Sequence, residues 1–306
     1  MGDIRIGNHP CSLGVAARTT EGMAEIPPYG LVLDEMEQTG YAGTELGFWG
    51  FLPTDPRTLR DELAHRGLDM VGGLVTVRLA DSAAHTEGLE RVLRTASLVA
   101  DSGGPGAFLL LADEHNSNPT RKKLAGRIEP GHALSDEQWS VFADGAQRIA
   151  QSVKERTGLR TAFHHHCAGF VETPYEIETF LSLTDPGLIG LCLDTGHYQY
   201  GGGDALAAVR RYTDRIWHVH FKACSPEVVA QARVKEWDYV QAVAGNVFCE
   251  LDQGTIDFEA IIQELHKWNY QGWVVVEQDV LPGMGTPKES ARRNRDYLRK
   301  ILNDDV

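Results

Sequence analysis

Long apolar runs and paired cysteines are both missing from this sequence. No apolar run approaches the roughly 20 residues that a helix needs to cross a bilayer. The first residues, MGDIRIGNHPCSLG, lack the basic and apolar regions of a signal peptide. The five cysteines form no CxxC pair, and their odd number argues against a disulfide framework. We therefore expect a reduced, cytoplasmic protein with no membrane partner.

Positive charge is also scarce. The chain has 29 Lys and Arg against 43 Asp and Glu, which gives a formal net charge of −14. Such a charge repels phosphate backbones, so we expect no nucleic-acid partner. Two basic clusters remain, RKK at 121–123 and ARRNRDYLRK at 291–300. We predict that both are solvated helix or loop surface.

Low-complexity linkers and internal repeats are absent, so we expect one domain over residues 1–306. Short β-branched or apolar runs alternate with longer amphipathic stretches. The short runs predict eight strands: Ile4–Gly7, Gly43–Leu46, Asp69–Leu74, Phe108–Leu111, Arg160–His164, Ile189–Leu193, Ile216–His220 and Trp273–Glu277. The longer stretches include predicted helices at 55–67, 135–156, 173–183, 257–269 and 286–302.

Eight strands that are each followed by a helical pattern predict an α/β fold, the (β/α)8 TIM barrel. A doubly wound sheet is the alternative, but no Gly-x-Gly-x-x-Gly follows the first strand. Two connections, about 112–134 and 222–257, are long for this fold. We expect such insertions at the C-terminal face to build the substrate pocket.

Polar side chains stand at the C-terminal ends of the predicted strands, where barrels place their active sites. Strands five to eight end in FHHHC, LCLDTGH, WHVHFK and VVVEQD. Each group has an ordinary structural interpretation. Asp194 can be a helix N-cap, two histidines at i and i+2 are often structural, and Glu277 is costly to bury only if unpaired. Their convergence on one barrel mouth is harder to explain by packing alone.

The three adjacent histidines at 164–166 fit this arrangement. Neighbouring strand residues face opposite ways, so His164 and His166 share one face while His165 points toward the helix layer. We predict that His166 is a neighbouring or proton-transfer group. The predicted metal ligands are His164, Asp194, His220 and Glu277. Mixed nitrogen and oxygen ligands suit Mn²⁺, Co²⁺, Zn²⁺ or Fe²⁺ better than Mg²⁺ or Ca²⁺.

The segments around these residues resemble a known family. They are YAGTELG, FHHHCAGFVET, LCLDTGHYQYGGGD, RIWHVHFKA, QGTIDF and YQGWVVVEQD. In order and spacing, from about residue 40 to 279, they are similar to the inosose dehydratases of the xylose-isomerase-like TIM barrel superfamily. That superfamily usually holds its metal by Glu, Asp, His and Glu. The last three fall on Asp194, His220 and Glu277, whereas the first falls on His164, where this sequence departs from the pattern.

The resemblance also implies roles for other residues. His166 matches a position that serves as catalytic base in dehydroshikimate dehydratases, and His197 matches a substrate-contacting histidine. Two segments differ from the inosose enzymes: HVHFK continues as ACSP, and FCELDQGTIDF replaces an apolar stretch. Both lie where we expect the substrate to be held.

The implied reaction is dehydration of a cyclic polyhydroxy ketone by way of a metal-stabilised enolate, with Mn²⁺ or Co²⁺ as the first choice of metal. His166 would remove the α-proton, and His197, Glu45 or Lys222 would protonate the leaving hydroxyl. We assign substrate contacts to Trp49, Glu114 and His218. A sugar isomerase or epimerase is the alternative, and a non-catalytic carbohydrate-binding barrel is a third. A homo-oligomer is left open.

Overall fold

The computed structural model describes residues 4–15, 26–104, 106–281 and 285–302. Ten strands are present among them: β1 Ile4–Asn8, β2 Gly43–Glu45, β3 Asp69–Val77, β4 Phe108–Asp113, β5 Arg160–His164, β6 Ile189–Asp194, β7 Ile216–Phe221, β8 Ala223–Cys224, β9 Phe248–Cys249 and β10 Gly272–Val276. Eight of them close into a parallel barrel in the order β1-β10-β7-β6-β5-β4-β3-β2. The predicted (β/α)8 fold is confirmed.

The barrel strands are buried on both faces, which explains their continuous apolar runs. In β4, Leu109 and Leu111 belong to the main core beneath the helices, whereas Phe108 and Leu110 pack inside the barrel. β3 continues three residues beyond its predicted end, because Val77 still pairs with β4 there.

Twelve α-helices surround the barrel or cover its mouth in the described part of the chain: α1 Tyr29–Thr39, α2 Pro56–Ala64, α3 His85–Ser102, α4 Pro119–Leu124, α5 Asp136–Thr157, α6 Pro174–Leu183, α7 Thr195–Tyr200, α8 Ala205–Arg211, α9 Pro226–Val234, α10 Tyr239–Ala244, α11 Phe258–Lys267 and α12 Pro287–Leu302. All five predicted helices are among them. Ser135 and Gln138 form a capping box at the start of α5. None of these helices combines the length and apolarity needed to span a bilayer.

The two long connections form small structures of their own at the C-terminal face. Residues 112–134 contain α4 and a short 3-10 helix, Pro130–His132. Residues 222–257 contain α9, α10 and an antiparallel pair formed by β8 and β9. These insertions bring the Tyr239 and Phe248 rings against histidines at the barrel mouth.

Arg121 corrects the prediction that the RKK cluster is solvated. Its side chain is only 1% exposed and pairs with Glu176 of α6, which is 2% exposed. The guanidinium makes two hydrogen bonds to the Glu176 carboxylate, at 2.7 and 2.9 Å, and a third to the carbonyl of Gly169 at 2.7 Å. The prediction was wrong because the loop after β5 covers one face of this short helix. Lys123, two residues on, is exposed as predicted.

Replacing Arg121 with methionine should lower the free energy of unfolding by about 3–5 kcal/mol, because it leaves the Glu176 carboxylate buried without its cation. Urea denaturation followed by circular dichroism measures the change. Lys123→Met, on the exposed face of the same helix, is the matched control and should change stability by less than about 0.5 kcal/mol. Equal losses in the two variants would show that the buried pair has no special importance.

Candidate active site

Four buried side chains converge at the C-terminal mouth of the barrel. They come from the ends of β5, β6, β7 and β10, and their ligand atoms all lie within 4.8 Å of one another: His164, Asp194, His220 and Glu277. Parallel strands that end at one rim account for the convergence. The structure therefore brings together all four of the predicted metal ligands.

Several of these ligand atoms have no hydrogen-bond partner. Both ring nitrogens of His164, Oδ2 of Asp194 and Nδ1 of His220 are buried and unpaired. Nδ1 of His220 lies 2.8 Å from Oε2 of Glu277 but without the alignment of a hydrogen bond. Buried polar atoms are rarely left unsatisfied in proteins. A divalent cation fits this set of donors, because imidazole nitrogens and carboxylate oxygens point toward a common centre.

Glu45 lies below the cluster and fixes one of its members. Its Oε1 accepts hydrogen bonds from Nε2 of His218 at 2.9 Å and from Nε2 of His220 at 2.8 Å. Nδ1 of His220 is thereby left to face the cluster, an arrangement common around metal-ligating histidines. Burial would raise the pKa of Glu45, but His220 and His218 hold it well below its usual range.

Asp194 caps the helix that follows it and also presents an oxygen to the cluster. Its Oδ1 accepts the N–H of His197 at 2.7 Å and caps α7, while Oδ2 stays unpaired in the cluster. Burial would raise the pKa of Asp194, but Lys222 and His164 lower it below the ordinary value. The carboxylate is therefore ionised at neutral pH.

Lys222 supplies a buried positive charge beside the cluster. Its Nζ lies 2.7 Å from Oε1 of Glu277 and 3.0 Å from Oδ2 of Asp279. The third contact of the ammonium is Nε2 of His197, at 3.2 Å. Burial would lower the pKa of Lys222, but Asp279 and Glu277 raise it well above its usual value, so the side chain stays charged.

Stacked imidazoles form one wall of the site. The half-buried His166 ring lies 4.0 Å from His115 and 3.9 Å from His197, centroid to centroid. Burial and the neighbouring His115 lower the pKa of His166 well below its usual value, which keeps the ring neutral. The hydroxyl of Tyr239 lies 3.4 Å from Nε2 of His166. His165 points the other way, as predicted, and accepts the N–H of Asp194 at 3.2 Å.

His115 and Tyr239 are the site residues that sequence reasoning missed. His115 directly follows Glu114, a predicted substrate contact. In the structure Glu114 pairs with Arg78, whereas His115 reaches the imidazole wall. Tyr239 lies in the long insertion of residues 222–257. A tyrosine near other aromatic residues was the one feature of this segment that could have indicated a site residue.

The other predicted substrate contacts lie elsewhere. The Trp49 ring stacks on the guanidinium of Arg94 in α3, 4.2 Å from its centroid, so this contact faces the helix layer. His218 is fully buried, on the floor of the site. Neither position favours direct contact with a substrate held above the cluster.

Asp113 anchors the loop that carries His166 from outside the barrel. Its carboxylate accepts the N–H of Leu79 at 3.3 Å and that of Phe170 at 3.0 Å. Burial raises the pKa of Asp113 from 3.8 to about 6, against the opposing effect of these hydrogen bonds.

The stability contributed by Asp113 should therefore depend on pH. Because the pKa of Asp113 is higher in the folded than in the unfolded state, protonation of this carboxyl favours folding. This contribution is complete at pH values below the unfolded-state pKa, and it is lost as the pH rises through the folded-state pKa. The stability advantage of the wild type over Asp113→Asn should be largest below about pH 4 and smaller by about 3 kcal/mol above pH 7. Urea denaturation at several pH values measures it. An advantage that grows with pH would contradict the expectation.

The fold and the ligand cluster define the class of this protein. The family model for the xylose isomerase-like TIM barrel matches residues 33–301, so the chain belongs to this family. Within it, the chain belongs with the inosose dehydratases, as the sequence resemblance indicated. It is 31% identical to the inosose dehydratase of Geobacillus kaustophilus (strain HTA426) over 273 residues, which cover 89% of this chain and 87% of the relative.

Solved structures share the fold at lower sequence identity. The probable 3-DHS dehydratase AsbF of Bacillus anthracis superposes with a TM-score of 0.69 and 16% identity, covering 99% of this chain and 100% of its own. The IolI protein, solved with a bound zinc atom, gives a TM-score of 0.69 and 14% identity, covering 99% of each chain. At these identities the likeness shows the barrel architecture alone.

Proposed function

We propose that this protein is a metal-dependent hydro-lyase that removes water from a cyclic polyhydroxy ketone such as scyllo-inosose. The proposal rests on one observation: four buried side chains bring their ligand atoms within 4.8 Å of one another, three of them with unpaired atoms, beside a neutral, half-buried histidine. Membership of the inosose dehydratase family supports the substrate class, because the related enzyme of Geobacillus kaustophilus carries that activity in its name.

His164, Asp194, His220 and Glu277 would hold the metal, with Mn²⁺ or Co²⁺ as our first choice and Zn²⁺ or Fe²⁺ next. A bound divalent ion would polarise the ketone oxygen as a Lewis acid and make the neighbouring carbon more acidic. Glu45 orients the His220 ring toward the metal through its hydrogen bond to Nε2. We therefore propose that Glu45 positions His220 and does not protonate the leaving hydroxyl. Its Oε1 already accepts from two imidazoles, and the side chain is buried beneath His220.

His166 is the base in this proposal. Its Nδ1 lies 2.6 Å from the carbonyl oxygen of Cys167, so Nδ1 carries the proton and Nε2 carries the lone pair. Nε2 takes the proton from the carbon next to the ketone, and the electron pair of that C–H bond becomes the enolate. The low pKa of His166 keeps the ring unprotonated, so the lone pair is available at neutral pH.

The Lys222 and His197 pair is the proton donor to the leaving hydroxyl. The ammonium of Lys222 donates to Nε2 of His197 at 3.2 Å, so a proton lies between the two groups. When the enolate re-forms the ketone as a conjugated enone, the β-hydroxyl departs with this proton as water. Asp279, 3.0 Å from Nζ, holds Lys222 at this place.

The test is to incubate the metal-loaded protein with scyllo-inosose in D2O. The proposal expects an ultraviolet band of the enone or dione product, together with one equivalent of water lost. Solvent deuterium in recovered substrate without that band would favour the epimerase or isomerase alternative, because both reactions begin with the same enolate. Neither signal, with bound metal present, would favour the non-catalytic carbohydrate-binding barrel.

A further inference from the structure

We propose that Glu172 is a positioning residue that fixes the tautomer and orientation of His166 through the backbone of residues 167 and 168. This inference rests on the proposed function, in which His166 is the base. Glu172 is fully buried behind the imidazole wall, and its carboxylate accepts hydrogen bonds from the backbone N–H groups of Gly126 and Ala168.

The two oxygens of Glu172 connect two loops. Oε2 accepts the N–H of Ala168 at 2.8 Å, within the loop that follows β5. Oε1 accepts the N–H of Gly126 at 2.6 Å, within the insertion that follows β4. The N–H of Glu172 itself donates to Glu176, the partner of Arg121. The backbone of Glu172 is therefore held by a buried ion pair.

The carboxylate of Glu172 also holds Ala168 in an unfavourable backbone conformation. Ala168 has φ of +67°, a left-handed conformation that costs a non-glycine residue roughly 1 kcal/mol or more. Its N–H is fixed by Glu172, and its carbonyl accepts the N–H of Asn116 at 3.2 Å. These contacts on both sides hold Ala168 in the strained conformation.

The strained turn determines where the preceding carbonyl points. The Cys167 oxygen lies 2.6 Å from Nδ1 of His166, and this contact selects the tautomer with the proton on Nδ1. Nε2 then faces the Tyr239 hydroxyl at 3.4 Å and the adjacent site. Loss of the Ala168 anchor would let this peptide rotate, and the preference between the two nitrogens would weaken.

The cost of burying Glu172 agrees with a specific role. Burial raises the pKa of Glu172 to about 7, against the opposing effect of its hydrogen bonds to Gly126 and Ala168. A side chain needed only to fill space would be cheaper as an apolar residue of the same size. The carboxylate supplies two acceptor oxygens in one rigid group.

The experiment uses Glu172→Gln, which keeps the size but leaves one acceptor oxygen for two backbone donors. We expect kcat to fall about 10- to 100-fold with KM and metal content nearly unchanged, because only the base is displaced. Nitrogen-15 spectra of histidine-labelled protein, with His166 assigned by comparison with His166→Gln, should show the pure Nδ1–H tautomer become a mixture. Adding Ala168→Gly should recover part of kcat, because glycine adopts positive φ without strain.

Asp185→Asn is the control. Oδ1 of this exposed aspartate accepts the N–H of Gly187 at 2.8 Å in the turn after α6, outside the loop that carries His166. The substitution is the same carboxylate-to-amide change at an acceptor of a backbone N–H, so kcat and the His166 tautomer should stay within about twofold of wild type. If Glu172→Gln does not fold, Glu172→Asp keeps the charge but is one methylene shorter, and it should redistribute the tautomers in the same way.

An unchanged His166 tautomer and unchanged kcat in the folded Glu172 variant would overturn the inference and leave the proposed function intact. Full dehydration by His166→Gln would instead overturn the assignment of the base. The spectra would still decide whether Glu172 controls the tautomer, since that readout does not require turnover.

Discussion

Asp194→Asn should lose bound metal and dehydratase activity together. The substitution removes one negative charge and one anionic oxygen from a set of four ligands that converge within 4.8 Å. Divalent ions depend on such carboxylates, so metal content should drop from about one ion per chain to near zero. Turnover should fall at least about 1,000-fold, equivalent to about 4 kcal/mol of lost transition-state stabilisation. Elemental analysis and the ultraviolet assay measure the two effects.

This variant separates ligation from folding. Asparagine caps helices about as well as aspartate, so the amide oxygen can still accept the N–H of His197 and α7 should persist. Asp204→Asn is the matched control, because Asp204 caps α8 through the N–H of Ala207 at 3.0 Å and is exposed. The control should keep its metal and its activity. Retention of both by Asp194→Asn would rule out the four-residue site.

His166→Gln should stop catalysis without removing the metal. Glutamine has a similar reach but cannot take a proton at neutral pH, so kcat should fall about 100- to 10,000-fold. Deuterium exchange into the substrate should fall by the same factor, because proton removal precedes loss of water. KM should change much less, since the four ligands remain in place.

The control for this variant is His65→Gln, an exposed histidine after α2. It should match the wild type in metal content, exchange and turnover. If His166→Gln still exchanges deuterium at the wild-type rate, another group removes the proton, and the stacked His115 would be the first residue to test.

The architecture could be predicted because its signals are local. Most barrel strands contain a short apolar run, and four of the five predicted helices begin at a side-chain cap, namely Asp55, Ser135, Thr173 and Asp257. The ligand set followed from one additional rule, that parallel strands end at a common rim. Three residues stand where the apolar runs of their strands stop: Asp194, His220 and Glu277. They are far apart in the sequence, but this rule places them together at the barrel mouth without coordinates.

The parts that were not predicted depend on how the connections fold back. Arg121 looked solvated because its partner Glu176 lies 55 residues away, and no local pattern pairs them. Tyr239 reaches the imidazole wall only because the insertion after β7 folds over the barrel mouth. Glu45 ends the second strand as expected, but its hydrogen bonds to His218 and His220 depend on which side chains face each other across the barrel.

The ammonium of Lys222 gives the proposed metal site a positive charge that remains when no ion is bound. Asp194, Glu277 and Asp279 would repel one another in a vacant centre, but a fixed cation lies within 4.0 Å of each. This internal counter-charge should keep the pocket assembled after a chelator has stripped the ion. Under the proposed function, one divalent ion should then replace another without local refolding.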